Sequence, residues 1–280
     1  MLKKYFLIFY SFGKQLQKDN IGAHAASISF FFLLSVFPVL VILFTILAIS
    51  PISEEVVLKI LVEITPGFLD EYIYLIFGQA EEMYGTVLPI AVVVLLWSAG
   101  KGMWGLMMGL NTANGVTEKR NALWVRLLSS LYSLIMIIVL VVCMCVIVAG
   151  ERFVEYIENL FPRLSMFLGL MGNLRFLVVW GFLILLFMMI YAFIPNIKNV
   201  VALQAPGAVF AATGWSVVSW GFSLYMEYFG TMTVYGSLST LILVMIWIYT
   251  CMYIMLLGAN INGYFKPLFE KSNNKAKFNR

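Results

Sequence analysis

Lys101 stands inside the long apolar stretch 84–114, flanked by Gly100 and Gly102, while the other five long apolar runs carry no formal charge. An ionised side chain within a bilayer costs a few kcal/mol or more unless it snorkels, pairs or faces a wet cavity. The chemistry open to such an ammonium is electrostatic: it binds an anionic group, such as a lipid phosphate or an organic acid. The flanking glycines would leave backbone space beside the charge. In that reading Asn260, Asn262 and Asn111 are the candidate amide neighbours of an interior, substrate- or ion-binding Lys101. The competing reading is snorkelling, with the stem in the apolar layer and the ammonium at the headgroups.

Other chemistry is sparse. His24 is the single histidine, and Cys143, Cys145 and Cys251 all lie in apolar runs. Cys143 and Cys145 are two apart and would point to different faces of a helix. Neither a metal-ligand spacing nor a nucleophile–base pair emerges, so no catalytic residue, metal or cofactor is expected, and the chain is not read as an enzyme. Asp19 and His24, at the mouth of the first run, could form a proton-sensitive gate. The plainer reading is a helix cap and an interfacial histidine. Pro38, Tyr235 and Ser237 complete the gating candidates. Glu118, Lys119 and Arg120 read as a solvated loop whose ion pairs are worth little.

The elements that must position these residues are membrane helices. Of the 280 residues 62% are hydrophobic and 11% charged, with a mean hydropathy of +0.95, whereas a soluble domain is about one quarter charged. The fold expected is all-α, a polytopic six-helix transmembrane bundle with amphipathic interfacial helices. Its spans fall at about 25–50, 87–110, 127–150, 176–194, 205–226 and 236–262 within one transmembrane domain, 25–263. The first would reach ~39 Å, longer than the ~30 Å hydrocarbon core, and Pro38 should kink it, with Ser35 satisfying part of the freed backbone. Small-residue ridges at Ser98, Gly102, Gly105 and Gly109, and at Ala208, Ala212 and Ser216, would allow close helix packing.

Around the spans, residues 1–24 place Leu2, Phe6, Phe9 and Leu16 at helical spacing with lysines mostly opposite, an amphipathic helix for the inner leaflet. Residues 51–85 carry seven acidic side chains against Lys59 alone and form an acidic outer cap. Residues 264–280 are a basic tail, expected to lose order towards its end. Thirteen Lys/Arg fall on the side of the termini and four on the other, which puts both termini in the cytoplasm. The partners expected are membrane lipids, notably the anionic inner leaflet, and an anionic lipid or solute as substrate. The basic tail is read as a membrane anchor, with no nucleic acid as partner. Oligomeric state is not legible.

A further set of residues carries a resemblance. Asp19 with His24-Ala25-Ala26, SVFP at 35–38, WSAGKG with Gly109-Leu110-Asn111, Glu118 and Arg120 come first. Pro195, Pro206-Gly207-Ala208, TVYGSLS at 233–239, WIY at 247–249 and LLGANIN at 256–262 follow in order. Together they resemble the YihY/BrkB family of bacterial inner-membrane proteins, once mislabelled as ribonuclease BN. The resemblance implies a six-span envelope protein of the inner membrane, with roles proposed for relatives in solute or ion export, lipid handling and virulence. Where that family usually has a glutamate in its last motif, this chain has Asn260. The function expected is a transporter, or a lipid- or solute-translocating protein, with a cavity reaching Lys101. The alternative is a non-transporting envelope scaffold.

Overall fold

The computed structural model describes residues 2–48, 87–136, 138, 165–229 and 237–278, and within them every regular element is helical. Seven helices are described: α1 (Leu2–Lys18), α2 (Ile21–Ala48), α3 (Val87–Ala113), α4 (Ala122–Met136), α5 (Ser165–Phe193), α6 (Ala205–Phe229) and α7 (Ser237–Phe278). A short 3-10 turn, Val201–Gln204, precedes α6. Four of these helices contain stretches long and apolar enough to cross a membrane, at Ile21–Val39, Leu88–Ala113, Val201–Tyr228 and Leu241–Tyr264; Ala122–Met136 and Val179–Phe193 are shorter apolar helices. The acidic cap at 51–85, the second half of the expected third span and Tyr235 lie outside the described residues.

Local chemistry sets the helix ends. Asn20, at φ 47°, closes α1 in the left-handed conformation that asparagine tolerates better than most residues. Gly115, at φ 67°, does the same after α3. Asn121 caps α4, its Oδ1 accepting the Leu123 N–H at 3.1 Å. The loop after α3 therefore ends sooner than its basic residues suggest, and Arg126 belongs to the second turn of a helix. Pro195 ends α5 and Pro206 sits in the first turn of α6, where its missing N–H costs nothing. One expectation needs correcting. Ser35, three residues before Pro38, donates to the Phe32 carbonyl at 2.6 Å, and not to the carbonyl that Pro38 leaves free. The last helix, α7, runs on past Gly263 and through Pro267 to Phe278.

Small residues line the helix seams, and large apolar ones fill the centre and also cover the outside. A Cβ on Gly102 would lie 3.5 Å from Phe31 Cβ, and one on Gly105 3.2 Å from Ile28 Cγ1, so the ridge on α3 takes α2 at close range. A Cβ on Gly109 would meet Leu256 of α7 at 2.9 Å. Where α6 crosses α7, Gly207 and Gly258 bring backbone against backbone: a Cβ on Gly207 would collide with the Gly258 carbonyl. Ala208, Ala211 and Ala212 are wholly buried along that seam. Met107, Leu110, Phe187, Tyr191 and Leu256 fill the centre, while Phe37, Ile90, Val93, Leu127, Leu131, Val217 and Trp220 point outwards. Large apolar side chains exposed around closely packed small-residue seams are expected of a bundle in lipid, where apolar surface has no reason to hide.

Candidate functional site

Lys101 lies on the flank of α3 and not on its packed face. At about 100° per residue it lies roughly 40–100° round the helix from Gly102, Gly105 and Gly109, the ridge that α2 and α7 occupy, and so borders that face. Its half-buried side chain enters a cleft of about 220 Å³ between α3 and α4, lined by Leu96, Trp97, Gly100, Lys101, Trp104, Ala122, Arg126 and Ser130. The ammonium stands 5.7 Å from the centroid of the Trp104 ring, within cation–π range. Trp97 and Trp104 are both exposed, so the cleft opens sideways on the apolar flank of the bundle. Arg126, Trp97, Trp104 and Ser130 were not singled out from the sequence. The available signal was an arginine one turn into an apolar helix, two residues after Trp124.

The asparagines expected near Lys101 are elsewhere. Asn111 is ten residues further along α3, roughly 15 Å at 1.5 Å per residue, and Gly263 on α7 packs against Ala113 at that same far end. Asn111, 1% exposed, donates from Nδ2 to Glu118 Oε2 at 2.9 Å and accepts the Asn196 N–H on Oδ1 at 2.7 Å. Asn262 accepts the Gly207 N–H at 2.8 Å and donates to the Gln204 carbonyl at 3.0 Å, thereby capping the start of α6 from another helix. Asn260, also buried, donates to the Leu256 carbonyl one turn back at 3.0 Å. An interior cation ringed by these amides is thus not the arrangement found: the amides join backbone elements, and Lys101 sits apart from them.

The polar residues at that end form a clamp. Glu118 receives Arg120 Nε at 2.8 Å, Arg120 Nη2 at 2.6 Å and the Arg120 backbone N–H at 3.0 Å, besides Asn111 and, at 3.2 Å, Asn196 Nδ2. Its side chain is only 11% exposed. Hydrogen bonds from Arg120 hold its carboxyl at about 2, below the ordinary 4.5. The loop therefore holds a buried pair where the sequence suggested a solvated one. Asn199 adds a second tie, from Nδ2 to Asn114 Oδ1 at 3.3 Å.

Asp19 lies at the α1–α2 turn, buried, with Gln15 Nε2 at 3.2 and 3.1 Å from its two oxygens. Burial pushes its carboxyl above the usual 3.8, against the pull of that hydrogen bond. His24 packs its Cβ beside Gly109, at 3.3 Å from where a Cβ there would sit. Pro38 is buried within α2, and Ser237 opens α7. The structure gathers Asp19, His24, Asn111, Asn260 and Asn262 at one end of the bundle, and leaves Pro38 and Ser237 away from it. Ser11 and Tyr264 meet at that same end, oxygen to oxygen at 2.6 Å.

Comparison with known proteins decides the kinship. The family model described as "Virulence factor BrkB" matches residues 12–278. The chain belongs to the BrkB family. It is 32% identical over 241 residues to the "Putative ribonuclease-like protein YfkH" of Bacillus subtilis, covering 85% of this chain and 88% of that one. A UPF0761 membrane protein of Haemophilus influenzae is 25% identical over 281 residues, covering 96% and 98% of the two chains. Another, from Vibrio parahaemolyticus, is 25% identical over 260 residues, or 89% of this chain and 79% of that one. No solved structure is a significant match. With several apolar helices and relatives described as membrane proteins, this BrkB-family chain is a membrane protein.

Proposed function

We propose that this BrkB-family protein is a six-span, multi-pass protein of the bacterial cytoplasmic membrane, both termini inside, that engages and translocates an anionic lipid or amphipathic anion along its lateral surface. The observation that carries this reading is the pairing of Lys101 and Arg126 in a cleft open on the apolar flank. A route through the middle has less support, because Met107, Leu110 and Leu256 close the contact of α2, α3 and α7 with no exposure at all. The proposed topology is supported by the basic residues: the α1–α2 turn, loop 114–121, connection 194–204 and Tyr264 share one end, and in sequence the Lys/Arg excess falls on the segments at that end. The reading is non-enzymatic, since one histidine and scattered carboxylates supply no hydrolytic set. The name of the Bacillus relative does not change those residue types.

A second reading, a non-transporting envelope scaffold, is favoured by the clamp that ties loop 114–121 to connection 194–204, since rigid loops suit docking better than motion. Reconstitution separates the two. With a fluorescent phosphatidylglycerol placed in one leaflet of liposomes, translocation predicts leaflet exchange faster than for a phosphatidylcholine analogue. Changing Lys101 and Arg126 together to alanine should slow that exchange by roughly tenfold or more, at about 1 kcal/mol per lost charge. Wild-type protein that exchanges neither lipid leaves the scaffold standing.

A further inference from the structure

We infer that the cleft between α3 and α4 is a headgroup site for an anionic membrane phospholipid, whose phosphate lies between the Lys101 ammonium and the Arg126 guanidinium. The inference gives the lateral-surface reading its ligand class and rests on that reading for its purpose, though binding at the cleft can be measured on its own.

Charge is the first argument. Half-buried Lys101 and exposed Arg126 share one cleft, and among the described residues the only ion pair is Arg120 with Glu118, elsewhere in the molecule. Two like charges lining one cleft repel each other, and an anion placed between them relieves that repulsion. Hydrogen bonding is the second. An ammonium and a guanidinium bring N–H donors and no acceptor, and the nearby Ser130 hydroxyl already spends its hydrogen on the Arg126 carbonyl at 3.1 Å. A phosphate supplies acceptor oxygens to both cations, and the guanidinium can take two of them side by side.

Depth and shape then choose the source of that phosphate. Arg126 is four residues into α4, roughly 6 Å from its start, so its long side chain can extend past the helix end towards the headgroups. Lys101, midway along α3, lines the same cleft, with its ammonium 5.7 Å from the centroid of the Trp104 ring. Trp97, Trp104 and Trp124 are all partly exposed here, as amphipathic rings at a membrane boundary are. At about 220 Å³ the cleft admits a headgroup, and it is smaller than the ~300–1,000 Å³ pockets that engulf a whole ligand. Acyl chains would run along exposed Leu123 and Leu127 beside it. A free anion in water would gain nothing from that apolar flank. Basic pockets between membrane helices on the cytoplasmic side bind anionic headgroups elsewhere by the same physics.

The test uses the full-length protein in nanodiscs, with tryptophan fluorescence read against brominated phosphatidylglycerol or brominated phosphatidylcholine at equal mole fraction. The site predicts stronger quenching by the anionic lipid, weakened by salt and reduced in Trp104→Phe, which removes a reporter at the cleft. Lys101→Gln and Arg126→Gln should each cut the selectivity for the anionic lipid about fivefold, and the double change should abolish it. Lys101→Arg should retain it. Equal quenching of the wild type by the two lipids overturns the site, as does selectivity that survives the double change. Should the double variant fail to fold, the salt dependence and the Trp104→Phe difference in the wild-type background still decide. Selective binding without leaflet exchange keeps this site and removes only the translocation reading.

Discussion

Glu118 shows how a residue's neighbours in sequence can mislead. Read beside Lys119 and Arg120 it is one half of a solvated pair worth little. Its other partners, Asn111 and Asn196, lie seven and 78 residues away, and only folding brings them together. With Arg120 holding it at about 2, the carboxylate contributes stability that is fully present above 4.5 and is lost as pH falls from there towards 2. Glu118→Gln should therefore cost about 2 kcal/mol at neutral pH, the scale of hydrogen bonds to a charged group, and should flatten the acid limb of stability. Thermal unfolding in detergent between pH 3 and 7 checks both, and an unchanged acid limb would count against the clamp. Lys101 was legible as the costly residue of its span; its companion Arg126 was not, because Asn121 starts a helix where a loop had been drawn.

Among the elements, the glycine ridge of α3 was readable because a four-residue spacing of small side chains admits only a close partner. It could not say which partner, since α2 and α7 each meet part of it. On α6 the ridge read as Ala208, Ala212 and Ser216 proved to turn through Gly207, Ala208, Ala211 and Ala212, with Gly207 against Gly258 the tightest point. Neither glycine could be paired with the other from sequence alone, because helix register is set by the whole seam. Gly207→Ala would drive a methyl against the Asn262 side-chain amide and into the Gly258 carbonyl, a backbone group that cannot yield as a side-chain tip can. A loss of ~3 kcal/mol or more, at the top of the range for overpacking, is expected. It would appear as a fall in the melting temperature of the detergent-solubilised protein, whereas Gly181→Ala, with open space around it, should be near neutral.

For the whole molecule, composition alone was enough to identify a membrane protein and an all-helical one, while helix starts were not: α4 begins at Ala122 and α5 at Ser165, before the apolar runs expected at 127 and 176. The face that carries Lys101 was not legible either. Periodicity shows that a face is apolar, but whether it meets another helix or lipid depends on three-dimensional packing, and that choice moved Lys101 from an interior cavity to an outer cleft. The most direct measurement of this placement is a spin label attached at Lys101→Cys in liposomes, with oxygen and a water-soluble nickel chelate as relaxers. The account predicts relaxation by lipid-dissolved oxygen at position 101, and less of it at Met107→Cys in the packed centre. A label at position 101 shielded from oxygen, or reached chiefly by the nickel chelate at mid-bilayer depth, would contradict it.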